Sequence, residues 1–212
     1  MKAIGLLGGS FNPAHAGHRH ISVEALRRLG LDEVWWLVSP QNPLKATADM
    51  APLAARVASA HHAAHHSRIH VTDIEQGLGT RFAVDTVAAL QRRYPNVRFI
   101  WLMGADNLAQ LHHWSRWRAL AARVPIAVLA RPGYISRALT APAMAWFGRR
   151  RHGSATAGTW RKWRLPAIVV LDIRFSPLSA TAIRRADPAW AAWHFADSPS
   201  LKPDPTRKLL WP

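Results

Sequence analysis

The chain has 212 residues, 49% hydrophobic and 19% charged, a composition typical of a folded globular protein and not of a disordered one. It contains no cysteine, which excludes disulfides and thiolate metal sites and agrees with a reducing compartment. Its 28 Lys and Arg against 12 Asp and Glu give a formal net charge of +16, which favours anionic partners such as phosphorylated small molecules or nucleic acid.

At this length we expect a single domain, spanning residues 1–197, followed by a proline-rich surface tail at 198–212. No apolar run approaches the ~20 residues of a membrane-spanning helix. The first residues enter a motif at once, which leaves no room for a signal peptide, so we expect a cytoplasmic protein that does not bind membranes.

Short apolar runs alternate with helix-length stretches along the chain. Buried strands are predicted at 3–8, 34–39, 69–72, 97–103, 125–130 and 167–171. Helices are predicted at 17–29, 52–65, 82–94 and 108–121. This alternation is typical of a Rossmann-like α/β fold, a doubly wound parallel sheet covered on both faces. Such sheets bind ligands at the carboxyl ends of their strands, so segments that follow strands are the functional candidates.

The stretch 134–166 breaks this alternation because it is rich in Gly, Ala, Arg and Trp and has no clear period. We expect an inserted segment, which could be a flap over the ligand site or a solvated basic surface. Its cations, Arg149–Arg151, Arg161, Lys162 and Arg164, carry much of the positive charge. No nucleic-acid-binding signature accompanies them, so a nucleic-acid groove is less favoured.

The segment after the first predicted strand reads GGSFNPAHAGH, from Gly8 to His18. Gly8 and Gly9 allow the backbone to approach a ligand closely. A helix that starts near Gly17 presents free amides and its positive end to an anion. His15 and His18 lie three residues apart at that start, so both imidazoles can face one anion. Two capping or surface histidines are the alternative interpretation.

This segment resembles the HxGH signature of the nucleotidylyltransferases, in the GGSFNPxHxGH form of the bacterial nicotinate-nucleotide adenylyltransferases. The resemblance implies that His15 and His18 bind the phosphates of ATP and stabilise charge as the α-phosphate is attacked. Asn12 stands where this family usually has Asp. The other residues of the segment that the resemblance places at the ATP site are Gly8, Gly9, Ser10 and Phe11.

A second segment, LSATAIR from Leu178 to Arg184, resembles the ISSTxIR motif of the same family. Hydroxyls and open amides at a helix start, with a guanidinium one turn later, suit phosphate oxygens. The resemblance implies ATP binding by Ser179, Thr181 and Arg184, with Ala180 in place of the second serine. An ordinary capped helix is the alternative for this segment alone, but both signatures occur in the expected order.

The loop PQNPLK at 40–45 resembles the PxxxPxK loop of the family, so Lys45 would reach a phosphate as a flexible point charge, with Asn42 beside the acceptor. Leu44 stands where the family usually has His. The resemblance places three more residues at the acceptor or its phosphates: Asp85, Thr86 and Arg131.

The segment GADNL, from Gly104, is followed by Trp114 and Trp117 and resembles the GADxL…W…W segment of the nicotinate enzymes. The resemblance implies that Gly104 and Asp106 contact the adenosine side and that Trp114 stacks on a pyridine ring. A core position is the alternative for Trp114, because tryptophans three residues apart on a helix are common in cores.

The run HHAAHH at 61–66 contains two pairs of histidines four residues apart, which could share a helix face and hold a metal. No third ligand is evident nearby in the sequence. We therefore expect a polar helix face and no dedicated metal site.

The predicted function is adenylyl transfer from ATP to nicotinate mononucleotide, giving nicotinate adenine dinucleotide and pyrophosphate, with Mg²⁺ carried by ATP. The residues that would carry catalysis are His15, His18, Lys45 and Arg184. Two alternatives stay open: another small-molecule nucleotidylyltransferase, such as one acting on phosphopantetheine, and a basic nucleic-acid-binding protein on the same fold. The sequence does not distinguish the acid from the amide form of the acceptor, and it leaves the oligomeric state open.

Overall fold

The computed structural model describes residues 1–40, 50–130, 136, 139–173 and 179–192. The described strands are β1 (Lys2–Gly9), β2 (Glu33–Val38), β3 (Ile69–Thr72), β4 (Val97–Gly104), β5 (Ile126–Ala130), β6 (Arg151–His152) and β7 (Ile168–Asp172). They form one sheet in the order β3-β2-β1-β4-β5-β7-β6, and every pair is parallel. All six predicted strands are confirmed. The edge strand β6 was missed because two residues are too few to show a periodic pattern.

The described helices are α1 (Ala16–Leu29), α2 (Leu53–Ala64), α3 (Ile74–Gly77), α4 (Ala83–Arg93), α5 (Ala105–Gln110), α6 (Trp117–Ala121), α7 (Pro142–Phe147) and α8 (Ala180–Ala186). Short 3₁₀ segments occupy Leu111–His113, Gly148–Arg150 and Ser154–Lys162. One hydrophobic core packs α4 to α7 on one face of the sheet, and a second packs α1, α2 and the last 3₁₀ segment on the other. The predicted doubly wound sheet is therefore confirmed. Within the described residues, no helix has the length and apolar character needed to cross a membrane.

Two adjacent tryptophans of β2 pack into different hydrophobic cores, one on each face of the sheet. Trp35 packs in the α4 core and Trp36 in the α1 core, because successive side chains of a strand point to opposite faces. The Trp36 Nε1 donates to the Ser22 Oγ of α1 at 2.8 Å, and the Trp35 Nε1 donates to the Glu33 Oε2 at 2.9 Å. Each large ring is thus buried without leaving its N–H unpaired.

The predicted helix at 108–121 is wrong as a single element. Helix α5 ends at Gln110, a 3₁₀ turn follows, and Arg116 adopts a left-handed φ of 51° before α6 begins at Trp117. This break separates two tryptophans that a continuous helix would place on one face. Trp117 is buried in the core, whereas Trp114 stays partly exposed at the core margin.

Residues 139–166 of the inserted segment pack against the sheet beside the C-terminal end of α1, and a flap role for the whole segment stays a prediction. Trp160 is 2% exposed, and its Nε1 donates to the Leu29 carbonyl at 2.9 Å. The Arg161 guanidinium donates to the Gly30 carbonyl at 2.6 Å. Both acceptors lie at the C-terminal end of α1, 14 residues and therefore about 20 Å along the axis from its N-cap, His15.

The histidine run does not share one helix face. Helix α2 ends at Ala64, and His65 adopts a left-handed φ of 34°, so His65 and His66 lie beyond the last helical turn. Within the described parts of the chain, no group of three or more His, Cys, Asp or Glu side chains is placed to hold a metal ion.

Candidate active site

A cleft of about 660 Å³ lies over the carboxyl ends of β1, β2 and β4. It occupies the point where the strand order reverses between β1 and β4, which is where open α/β sheets bind ligands. The start of α1 lines it from one face of the sheet, and the starts of α4 and α5 line it from the other. No described residue of the inserted segment lines this cleft.

The two histidines of the first motif both line the cleft and are oriented by the backbone of the helix start. His15 is the N-cap of α1, and its Nδ1 accepts the Gly17 N–H at 3.1 Å. The His18 Nδ1 accepts the His15 N–H at 3.2 Å, and the two ring centroids are 4.0 Å apart. A ring nitrogen that accepts an N–H carries no hydrogen, so in each neutral imidazole the hydrogen is on Nε2. The capping interpretation is therefore true of both histidines, and capping directs the two rings into one pair.

The Phe11 ring packs against His18 of this pair. Its backbone has a left-handed φ of 46°, which is uncommon for a bulky residue, and its side chain is 2% exposed. The ring stacks on Trp36 with centroids 5.1 Å apart and contacts the His18 ring at 4.9 Å. Gly8 lets the Trp101 ring pack directly against the backbone of β1, because a Cβ at residue 8 would lie only 2.9 Å from that ring.

The second motif meets the first across the cleft. Ser179 caps α8 by accepting the Ala182 N–H at 3.2 Å, and the cleft is lined by Ser179, Ala180 and Thr181. The predicted Arg184 fork donates to the Asn12 carbonyl, a contact that joins segments 172 residues apart. Its other terminal nitrogen lies 3.5 Å from the Thr181 Oγ1. Arg184 therefore anchors α8 on the segment that follows β1. The contact of Arg184 with phosphate stays a prediction.

A buried carboxyl in the lining of the cleft, that of Glu75, links α3 to α4. Glu75 is 7% exposed and lines the cleft, and its Oε1 accepts from the Thr86 Oγ1 at 2.9 Å. Burial raises the pKa of Glu75, while hydrogen bonds from Thr86 and Ser39 act in the opposite direction. No local pattern in the sequence marks this glutamate, because its burial depends on strands and loops far along the chain.

The structure does not bring the predicted acceptor residues Asp85 and Thr86 into the lining of the cleft. Thr86 is fully buried and bonded to Glu75, and Asp85 forms an ion pair with Arg116. Their contact with the acceptor stays a prediction. The neighbouring side chain of Phe82 lines the cleft in their place.

Three aromatic side chains also line the cleft. Trp101 and Trp114 meet edge to face with centroids 6.1 Å apart, and both line the cleft together with Phe82. Trp114 therefore packs against the core and also lines the cleft, and its stacking on a pyridine ring stays a prediction. The buried Nε1 of Trp101 has no acceptor among the described residues, a state that a ligand or water oxygen would relieve.

Arg56 is a positioning residue that the sequence interpretation missed. Its side chain is 1% exposed, and its guanidinium donates to four backbone carbonyls, those of Ser10, Ser39, Pro40 and Ala51. It therefore ties the loop after β1 to the loop after β2. One signal was available: Arg56 shares a face of α2 with apolar Ala60 and Ala64, where a solvated arginine is not expected.

The remaining predicted residues fall into two groups. Gly104 and Asp106 line the cleft, with Gly104 as N-cap of α5 and Asp106 exposed in its first turn. Three residues lie outside the described part of the chain: Asn42, Lys45 and Arg131.

Comparison with known proteins shows which family the chain resembles in sequence. The cytidylyltransferase-like family model matches residues 6–186. A "probable nicotinate-nucleotide adenylyltransferase" of Erythrobacter litoralis is 56% identical over 188 residues, covering 88% of this chain and 85% of its own. A protein of the same name from Cereibacter sphaeroides is 56% identical over 181 residues, covering 85% of this chain and 96% of its own.

A solved structure supports the same fold at much lower identity. The nicotinic acid mononucleotide adenylyltransferase of Plasmodium falciparum, complexed with NaAD, superposes with a TM-score of 0.62 at 16% identity. The match covers 87% of this chain and 83% of that one. At this identity the likeness concerns the fold alone.

Proposed function

The chain belongs to the cytidylyltransferase-like family, among the nicotinate-nucleotide adenylyltransferases, and we propose that it transfers the adenylyl group of ATP to nicotinate mononucleotide. The observation that carries this proposal is the imidazole pair of His15 and His18, which lines the same cleft as the start of α8. The products are nicotinate adenine dinucleotide and pyrophosphate.

The transfer is an in-line displacement at phosphorus. A phosphate oxygen of the acceptor attacks the α-phosphorus of ATP, a new P–O bond forms, and the bond to the β-phosphate oxygen breaks as pyrophosphate leaves. The acceptor phosphate is itself the nucleophile, so positioning and charge stabilisation account for catalysis. The Nε2–H groups of His15 and His18 would donate to the phosphate oxygens on which negative charge accumulates.

The cleft is suited to phosphates on the side where the two motifs meet. Ser179 and Thr181 lie at the start of α8 and line the cleft together with the start of α1. The predicted phosphate contacts of Lys45 and Arg131 and the acceptor contact of Asn42 belong to the same proposal.

The donor set of the cleft fits a Mg²⁺ that arrives with ATP. Among the described residues, the acidic side chains that line it are Asp106, which is exposed, and Glu75, which is buried and bonded to Thr86. Mg²⁺ keeps several waters and needs few protein ligands when a polyphosphate supplies the rest, so Asp106 would suffice as a protein carboxylate. When bound, the ion would neutralise polyphosphate charge.

The test is pyrophosphate release from ATP against a panel of acceptors. Purified protein would be assayed with nicotinate mononucleotide, nicotinamide mononucleotide, phosphopantetheine and no acceptor, with the dinucleotide product identified by mass. We expect the highest kcat/KM with a pyridine mononucleotide. Preferential turnover of phosphopantetheine, or the absence of acceptor-dependent pyrophosphate, would refute the proposal.

A further inference from the structure

Arg81 contributes a positive charge to the cleft near the aromatic side chains that line it. It lies at the bend before α4, is exposed and lines the cleft next to Phe82. Its guanidinium carbon is 5.8 Å from the centroid of the Phe82 ring. It therefore borders the aromatic surface of the cleft formed by Phe82, Trp101 and Trp114.

A second arginine near the same ring has a different charge environment. The Arg116 guanidinium carbon is also 5.8 Å from the Phe82 centroid, but Arg116 forms an ion pair with Asp85. Within the described residues, Arg81 has no carboxylate partner. Its charge is thus available to a ligand, while the charge of Arg116 is already matched.

A buried carboxyl that also lines the cleft does not compete for Arg81. The Glu75 carboxyl is bonded to the buried Thr86 hydroxyl, and burial raises its pKa, which favours its neutral form. The lining of the cleft therefore combines aromatic rings, a buried carboxyl and the Arg81 guanidinium, which has no carboxylate partner among the described residues.

We propose that Arg81 is a specificity-determining residue that selects an acceptor whose aromatic ring bears a carboxylate over the corresponding amide; this rests on the proposed function. With the acceptor phosphate in line with the α-phosphorus of an ATP held by His15 and His18, the planar ring would lie along the aromatic surface and its substituent would reach Arg81. A guanidinium forms charge-assisted, bidentate hydrogen bonds with a carboxylate. A carboxamide has one acceptor oxygen, and its NH₂ donors find no acceptor on a guanidinium.

The test compares two acceptors that differ only in this substituent. Initial rates with nicotinate mononucleotide and nicotinamide mononucleotide, at saturating ATP, would be measured for the wild type, Arg81→Gln, Arg81→Lys and Arg92→Gln. Arg92 is an exposed arginine near the C-terminal end of α4, so its replacement is the matched control for loss of one surface charge. The KM for ATP in each variant reports whether the rest of the cleft is intact.

We expect Arg81→Gln to lower kcat/KM for the acid by about 10- to 100-fold, mainly through KM, and to leave the amide within about 3-fold. Arg81→Lys should recover part of the preference because it keeps the charge but loses the planar fork. Arg92→Gln should retain the wild-type ratio.

Two results would overturn the assignment. An unchanged acid-to-amide ratio in Arg81→Gln, with normal KM for ATP, would show that Arg81 does not read the substituent. A wild type that prefers the amide would also show that Arg81 does not select a carboxylate, although adenylyl transfer itself would then be established. Failure of the wild type to use either acceptor would instead refute the proposed function itself.

Discussion

Replacement of Arg56 by methionine should destabilise the protein strongly, because Arg56 is a buried cation whose hydrogen bonds all go to backbone carbonyls in the described residues. The four carbonyls belong to Ser10, Ser39, Pro40 and Ala51, at donor–acceptor distances of 2.6 to 2.9 Å. Burial lowers the pKa of Arg56, but a guanidinium remains charged at neutral pH.

The magnitude follows from the groups that lose their partner. Methionine fills most of the volume but donates no hydrogen bond, so four carbonyls in and around the two loops are left to find water. With about 1 kcal/mol for each lost bond, the expected loss is about 3–5 kcal/mol of the free energy of unfolding. For a domain of this size that corresponds to a fall in Tm of roughly 10 °C.

Urea denaturation and thermal unfolding of Arg56→Met, Arg56→Lys and the surface control Arg92→Met would measure this effect. Lysine keeps the charge, but a single ammonium cannot reach carbonyls on three separate segments, so it should recover less than half of the loss. The control should stay within about 0.5 kcal/mol of the wild type. A loss below about 1 kcal/mol in Arg56→Met would refute the idea that this arginine holds the two loops together.

Three further changes test the site. His18→Ala should lower kcat by on the order of 10²–10³ with a smaller effect on the KM for ATP, since its proposed contact strengthens as charge builds at phosphorus; near-normal kcat in a folded variant would exclude this role. Trp114→Ala should raise the KM of the acceptor and leave that of ATP nearly unchanged, whereas equal losses for both substrates would assign Trp114 to the core alone. Burial raises the pKa of Glu75 above its ordinary value of 4.5, so the folded state holds this proton more tightly than the unfolded chain, and the stability it contributes is lost as pH rises through the raised pKa. Urea titrations of the wild type and Glu75→Gln should therefore show that the wild type loses stability relative to the variant as pH rises from 4.5 to 8. A difference in unfolding free energy that does not change with pH would contradict the raised pKa.

The sequence alone predicted the elements whose signal is local. Apolar runs and helix-length stretches located six strands and the doubly wound sheet, because side-chain periodicity depends only on neighbours along the chain. The glycines, the paired histidines and the Ser179 cap marked the starts of α1 and α8, because a helix end needs particular residues at particular positions. The break before Trp117 was not predicted, since a left-handed Arg116 carries no compositional signal.

Only the tertiary structure decided which side chains meet. It joined Arg184 to the Asn12 carbonyl, buried Glu75 against Thr86 and packed Trp160 beside the C-terminal end of α1. It also left Arg81 without a carboxylate partner among the described residues, although the sequence gives it no distinction from other arginines. These contacts depend on how distant segments fold back across the sheet. Periodicity and capping are set by neighbouring residues and can be read from the chain, whereas burial and pairing are set by packing between residues far apart in it.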